Sequence, residues 1–150
     1  MKKILILLLL ISASCGYQPI YKVNQDNNSF KIKEIVLSGN ENLGKKIFSS
    51  LPLKIEKNNS LLNKLKLETT KEILETSKNS KGQVDSYRTS LRVKIILLDN
   101  NNQIKKQKIL TKDFSYNIKD NKFKFREYQI EIETNLIREI VKDLIIFFNT

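Results

Sequence analysis

One side chain in this sequence is placed for a covalent reaction. Cys15 is the sole thiol in 150 residues. It follows the small residues Ser12-Ala13-Ser14, an apolar run from Ile4 to Ile11 and the cationic start Lys2-Lys3. A positive head, a short apolar stretch and small residues before a cut site make up a secretory leader. The apolar run is too short to cross a bilayer, for which about 20 residues are needed. A cysteine directly after such a site is the lipobox arrangement. Its sulfur takes a diacylglycerol, and cleavage frees an amine for a third chain. Buried methylenes contribute roughly 0.8 kcal/mol each, so two or three chains hold a protein on a membrane where one does not. The lipobox usually has Leu three positions before the cysteine, and Ser12 departs from that. Residue 16 is Gly and not the Asp that retains such chains in the inner membrane, so sorting to the outer membrane is expected.

A second group could bind without reacting. Arg88, Arg92 and Lys94 alternate along one segment, and Lys105, Lys106 and Lys108 follow beyond a turn. The formal net charge is +11, and losing Lys2 and Lys3 with the leader leaves 25 basic against 16 acidic residues. Such a balance favours polyanions: nucleic acid, anionic headgroups or phosphorylated glycolipid. Nearly all of it is Lys, in a chain also rich in Asn and Ile, so A/T-rich codon bias accounts for part of the excess. The chain has no His. That excludes a Cys/His zinc site and a His-based triad, and one Cys excludes an internal disulfide. Neither a cofactor nor a metal is expected, and no catalytic residue is assigned.

These residues need elements to position them. From Cys15 onward the chain has 136 residues, enough for one modest core. Three segments result: a signal peptide over 1–14, a lipidated N-terminus and tether over 15–29, and one domain over 30–150. Phe30, Ile32, Ile35 and Leu37 predict a first strand, broken at Ser38-Gly39-Asn40. Asn40 is a helix cap, and Leu43, Ile47, Phe48 and Leu51 follow at helical spacing up to Pro52. Residues 54–60 read as loop. Residues 61–75 fit helix or strand, and context favours strand. Residues 87–98 alternate clearly, with Tyr87, Thr89, Leu91, Val93, Ile95 and Leu97 on one side and Arg88, Ser90, Arg92 and Lys94 on the other. Asp99 to Asn102 is a hairpin turn, and its partner strand runs to about Ile118. A long last helix carries an apolar stripe of Ile130, Leu136, Ile137, Ile140, Val141, Leu144, Ile145 and Phe148. Glu131, Glu133, Arg138, Glu139, Lys142 and Asp143 fall opposite. The order β-α-β-β-β-α gives an α+β sandwich: a four-stranded, mainly antiparallel or mixed sheet with two helices on one face. The other face is left relatively polar and carries Arg88, Arg92 and Lys94.

The order of these landmarks resembles a known family. Cys15-Gly16-Tyr17-Gln18-Pro19-Ile20-Tyr21 is similar to the Cys-Gly-Phe-x-Pro-Leu-Tyr start of alphaproteobacterial lipopolysaccharide-assembly lipoproteins, the LptE family. Residues 86–93 resemble its Arg-Tyr-x-Leu-x-Val strand, with Ser86 in place of the first Arg. Phe114-Ser115-Tyr116-Asn117-Ile118 resembles its Ser-Tyr-Asn-Val segment. The last helix matches only in its apolar positions, with Ile130, Thr134 and Ile137 where alanines are usual. The resemblance implies an outer-membrane lipoprotein facing the periplasm. It would plug and help assemble an LptD-like β-barrel translocon and bind lipopolysaccharide, without catalysing a reaction. Tyr116 and Asn117 are read as structural, fixing the turn into the last helix. Three other readings stand beside the resemblance, of which an enzyme fits worst for lack of His and of any convergent motif. An accessory lipoprotein of another machine, such as β-barrel assembly, would share the anchor. A nucleic-acid module fits the pI near 9.7, but export removes it from nucleic acid and no basic stripe interleaves with aromatics.

Overall fold

The computed structural model describes residues 30–149. The leader, Cys15 and the tether lie outside the described residues. The elements are β1 (Phe30–Ile32), β2 (Glu34–Gly39), α1 (Glu41–Ser49), β3 (Leu53–Ile55), β4 (Lys64–Lys78), β5 (Val84–Leu98), β6 (Ile104–Asn117) and α2 (Lys122–Asn149). The main sheet has the order β2-β4-β5-β6. β2 runs parallel to β4, and the β4–β5 and β5–β6 pairs are antiparallel. The side chains Leu65, Leu67, Thr69, Leu91, Val93, Ile95 and Leu97 of β4 and β5 are buried, share one parity and meet both helices, while Ile96 is buried on the opposite side. The α+β sandwich with a mixed four-stranded sheet is therefore the observed fold.

Each boundary has a local cause. Asn40 caps α1 by accepting from the Leu43 N–H at 3.1 Å. The Asn40 N–H donates to the Thr69 carbonyl, and the Thr69 hydroxyl donates to the Asn40 carbonyl at 2.7 Å. Those two bonds tie the start of α1 to β4. Asn121 opens α2 in the same way, accepting from the N–H groups of Phe123 and Lys124. The turn before β6 is held by Asp99, whose carboxylate accepts from the N–H groups of Asn101 and Gln103.

Three expectations need correction. The first strand is two strands. Ile32 and Ile35 are three residues apart, so one pleat cannot turn both inward. A bend at Lys33 absorbs the odd residue, with Ile32 fully buried below it. Residues 54–60 are not all loop: β3 pairs in parallel with β1, Ile55 opposite Ile32. The stripe of α2 holds at Leu136, Ile137, Ile140, Val141 and Leu144 and differs in which residues flank them. Ile130 is 57% exposed, whereas Ile132 and Phe147 are core residues. Residues 61–75, by contrast, enter β4 from Lys64 onward, as context favoured.

Glu133 also lies on the inner side of α2, not opposite it. Its carboxylate takes Lys46 of α1 at 2.6 Å and Lys71 of β4, joining three elements. Burial alone would push this carboxyl up. Hydrogen bonds from the two ammonium groups more than offset that and hold it below its ordinary range. The folded state thus binds the proton less readily than the unfolded chain. The contribution is complete above the ordinary carboxylate pKa and is lost as pH falls through the depressed folded value. Glu133→Gln is expected to cost about 1 kcal/mol at pH 7, the exposed Lys46 being screened. That deficit should shrink as pH falls below the ordinary carboxylate range. Urea unfolding of both proteins at neutral and acid pH checks it, and a deficit independent of pH would refute it.

Candidate functional site

β5 supplies the cations picked out by alternation. The helices cover the face carrying Leu91, Val93 and Ile95, so Arg88, Arg92 and Lys94 point to the open face. Each step of two residues advances about 6.7 Å, so the three span roughly 20 Å along one strand. Cross-strand partners set their surroundings. Arg92 lies between Thr70 and Thr111, and Lys94 between Glu68 and Ile109. Arg88 lies between Leu74 and Ser115 and donates from Nε to the Ser115 hydroxyl at 3.1 Å. Asp113 stands 3.9 Å from that Nε.

The structure does not bring all six candidate cations together. Cross-strand partners share a face, so Lys106 opposite Leu97 and Lys108 opposite Ile95 lie on the helix-bearing side. Lys106 donates from Nζ to the Phe147 carbonyl at 2.6 Å and sits 4.5 Å from the Phe147 ring centroid. That cation closes the C-terminal end of α2, where the helix dipole is negative. Lys105 occupies the irregularity between the Leu97–Lys106 and Leu98–Ile104 pairs and is exposed. The open face keeps Arg88, Arg92 and Lys94.

Two features of this face were not read from the sequence. The first is what β4 adds. Lys64 and Lys66 stand opposite Leu98 and Ile96, and Glu68 and Glu72 opposite Lys94 and Ser90. The face is therefore mixed in charge, with its cationic part towards the β5–β6 turn. Lys64 is held there by Glu34 at 3.2 Å and by the Asn102 side chain at 3.0 Å. The second is apolar. Val36, Ile96, Leu98, Ile104 and Ile109 lie on the open face at that same end. Val36 is 48% exposed and Ile109 52%. The signal was present: Ile95 to Leu98 is unbroken apolar chain, and a strand with both parities apolar presents a second apolar face.

At the other end of β6, Tyr116 is buried, and its hydroxyl meets Thr89 at 2.9 Å and accepts from Gln129 at 3.1 Å. The rings of Tyr87, Phe125 and Tyr128 lie within 6.2 Å of it. It joins the sheet to α2 and offers nothing to a ligand. Among the described residues, no group of acidic, Cys or His side chains could hold a metal ion, and no helix is long and apolar enough to cross a membrane.

An open face with separated cations beside exposed aliphatic side chains can take a ligand that is anionic and apolar at once. Arg92, flanked by two threonines, is the position best suited to a phosphate oxygen pair.

No protein-family model matches the chain, and no curated protein matches it. Solved structures do. The fold is similar to that of rare lipoprotein B from Shewanella oneidensis, at 17% identity and TM-score 0.55, covering 75% of this chain and 90% of that one. It is similar to the minor lipoprotein from Acinetobacter baumannii, at 15% identity and TM-score 0.57, covering 77% and 87%. A lipoprotein candidate from Caulobacter crescentus CB15 gives 14% identity and TM-score 0.53, covering 78% and 86%. At these identities the likeness is one of fold.

Proposed function

We propose that this chain is an outer-membrane lipoprotein of lipopolysaccharide transport. In this reading it is anchored through Cys15 with its domain in the periplasm. It partners an LptD-like β-barrel as plug and assembly factor, and it binds lipopolysaccharide. The observation that carries the reading is a conjunction. A lipobox cysteine heads a chain whose domain has the fold of solved bacterial lipoproteins. The Cys-Gly-Tyr-Gln-Pro start and the Ser-Tyr-Asn segment point to the LptE family within that fold. The site chemistry fits. Lipid A carries phosphates beside acyl chains, and the open face offers Arg92 and Lys94 beside Ile109. No step of this role needs a catalytic group.

Affinity capture of the mature lipoprotein from its own membranes tests the reading. A lipopolysaccharide-transport barrel and bound lipopolysaccharide are expected together. Recovery of a β-barrel assembly machine in their place would favour the accessory-lipoprotein reading. The face is tested by reversal. Arg92→Glu with Lys94→Glu removes two phosphate partners and faces the phosphates with carboxylates. It should weaken lipopolysaccharide binding at least tenfold, while circular dichroism is unchanged because neither side chain enters the core. Binding unaltered by this pair would move the site elsewhere. Lys106→Glu is a poor probe of the same question, since it also removes the cation on the α2 terminus.

A further inference from the structure

The register of the sheet places several chain landmarks at one end of the molecule. β2 and β4 begin there, β5 ends there and β6 begins there. The C-terminus of α2 reaches it, with Phe148 stacked on Phe30 at 5.0 Å. Phe30 is the first described residue, so the 29 residues that precede it join the domain at this end. The loop 56–63, which brings the chain to the start of β4, lies there too, tied to β1 through the Glu56 N–H on the Ile32 carbonyl.

This end differs in chemistry from the opposite one. Residues 30–36, 53–64 and 99–106 carry seven lysines against three carboxylates. The opposite end, residues 72–88 and 113–127, carries seven cations against six carboxylates. This end therefore carries more excess positive charge than the opposite one. Exposed aliphatic side chains stand among those lysines: Leu61 is 81% exposed, Ile104 59% and Ile55 40%. A solvated surface gains nothing from a leucine on the crest of a loop. A surface meeting anionic headgroups gains from both parts, since lysines near such a leaflet add attraction and short apolar side chains enter the boundary.

We propose that this end of the domain docks on an anionic bilayer surface, with Leu61 in the headgroup region and Lys54, Lys57 and Lys105 on the phosphates around it. The proposal rests on the lipid-anchored reading of Cys15 and adds an orientation to it. Before a barrel takes the domain up, the acyl chains hold it near the leaflet, and this end sets which way it stands. The open sheet face then rises from the membrane with its cationic, apolar part lowest.

The test uses the full chain carrying Cys15→Ser, so that an introduced cysteine is the single thiol. Ser60→Cys, beside Leu61, and Ser80→Cys, on the far hairpin, each receive an environment-sensitive fluorophore. The vesicles are phosphatidylcholine alone or with about a third phosphatidylglycerol, a composition that supplies the negative surface potential. With anionic vesicles the label at 60 should shift to the blue and be quenched by lipid-borne nitroxide, and the label at 80 should not respond. Lys54→Glu, Lys57→Glu and Lys105→Glu together should weaken the response at least a hundredfold, each lysine contributing about fivefold. Leu61→Asp should remove the quenching. A label at 60 that stays as aqueous as that at 80, while the chain sediments with the vesicles, overturns the proposal and leaves the anchor standing. A blue shift that needs no vesicles shows a second copy covering the surface, and overturns it as well. Absence of acylation at Cys15, measured separately by palmitate labelling, would sink the anchor without altering the vesicle result.

Discussion

Cys15→Ser is expected to abolish incorporation of radioactive palmitate completely, because the chain has no second thiol to receive the lipid. Lipid transfer needs a sulfur nucleophile. A thiol is partly ionised near neutral pH, and a serine hydroxyl is not. The consequences run in order. Without the diacylglycerol the leader is not released at this site, so the variant should migrate as the longer precursor. Without two or three acyl chains the membrane affinity falls from stable to marginal. What remains is the leader itself, whose apolar run from Ile4 to Ile11 is too short to span. The departure at Ser12 makes a second variant informative. Ser12→Leu restores the usual residue and should speed processing, leaving the final lipidated form the same. A Cys15→Ser protein still labelled by palmitate would refute the anchor. It would also withdraw the strongest single reason for placing this fold in the envelope.

How much of this was legible in the sequence depends on what set each feature. β5 was legible because its alternation is strict from Tyr87 to Ile95 and one face is fully covered. Leu91, Val93 and Ile95 have no exposure, and Arg88 and Arg92 remain in solvent. The Asp99–Asn102 turn was legible because Asn102 takes a positive φ of 61°, which Asn tolerates. β6 was legible as a strand from about Ile104 to Ile118, but the sides its cations take were not, for the opposite reason. It is an edge strand, so its inward parity is only partly covered, and Lys106 and Lys108 occupy inward positions without being buried. A lysine stem can lie on an apolar surface and keep its ammonium wet. Counting cations therefore joined residues that the pleat separates. The small β1–β3 sheet was hidden because three-residue strands carry no periodicity. Glu133 was hidden because an acidic residue on a helix reads as surface, and only the tertiary approach of Lys46 and Lys71 makes it internal. The mixed charge of the open face came from β4, whose helix-or-strand ambiguity concealed the parity of Lys66 and Glu68.

Gly39→Ala should be the most damaging single-methyl change in the domain, at roughly 2–5 kcal/mol. Its φ is +77°, a region that costs an L-residue about 1–2 kcal/mol. A Cβ there would also stand 2.2 Å from the Thr69 carbonyl oxygen, which is backbone and cannot swing aside. Forcing extra volume into such a contact adds about 1–3 kcal/mol. That carbonyl accepts the Asn40 N–H, so relief by moving it breaks the link between the first turn of α1 and β4. Gly82 isolates the two effects. Its φ is +76°, nearly the same, but a Cβ there meets nothing within 4 Å. Gly82→Ala should therefore cost only the conformational part, about 1–2 kcal/mol. Urea unfolding of both variants gives the difference directly, and equal losses would refute the clash at Gly39. The two sites also differ in reach. Gly82 turns the exposed far hairpin, so its loss should leave the lipopolysaccharide binding proposed for the open face intact. Gly39 fixes where β2 stops and α1 starts, and α1 carries Leu43 and Ile47 into the core and Lys46 to Glu133. β2 in turn brings Val36 to the open face and Glu34 to Lys64. A strained Gly39 position should thus loosen the cationic end of the open face, although it touches no ligand.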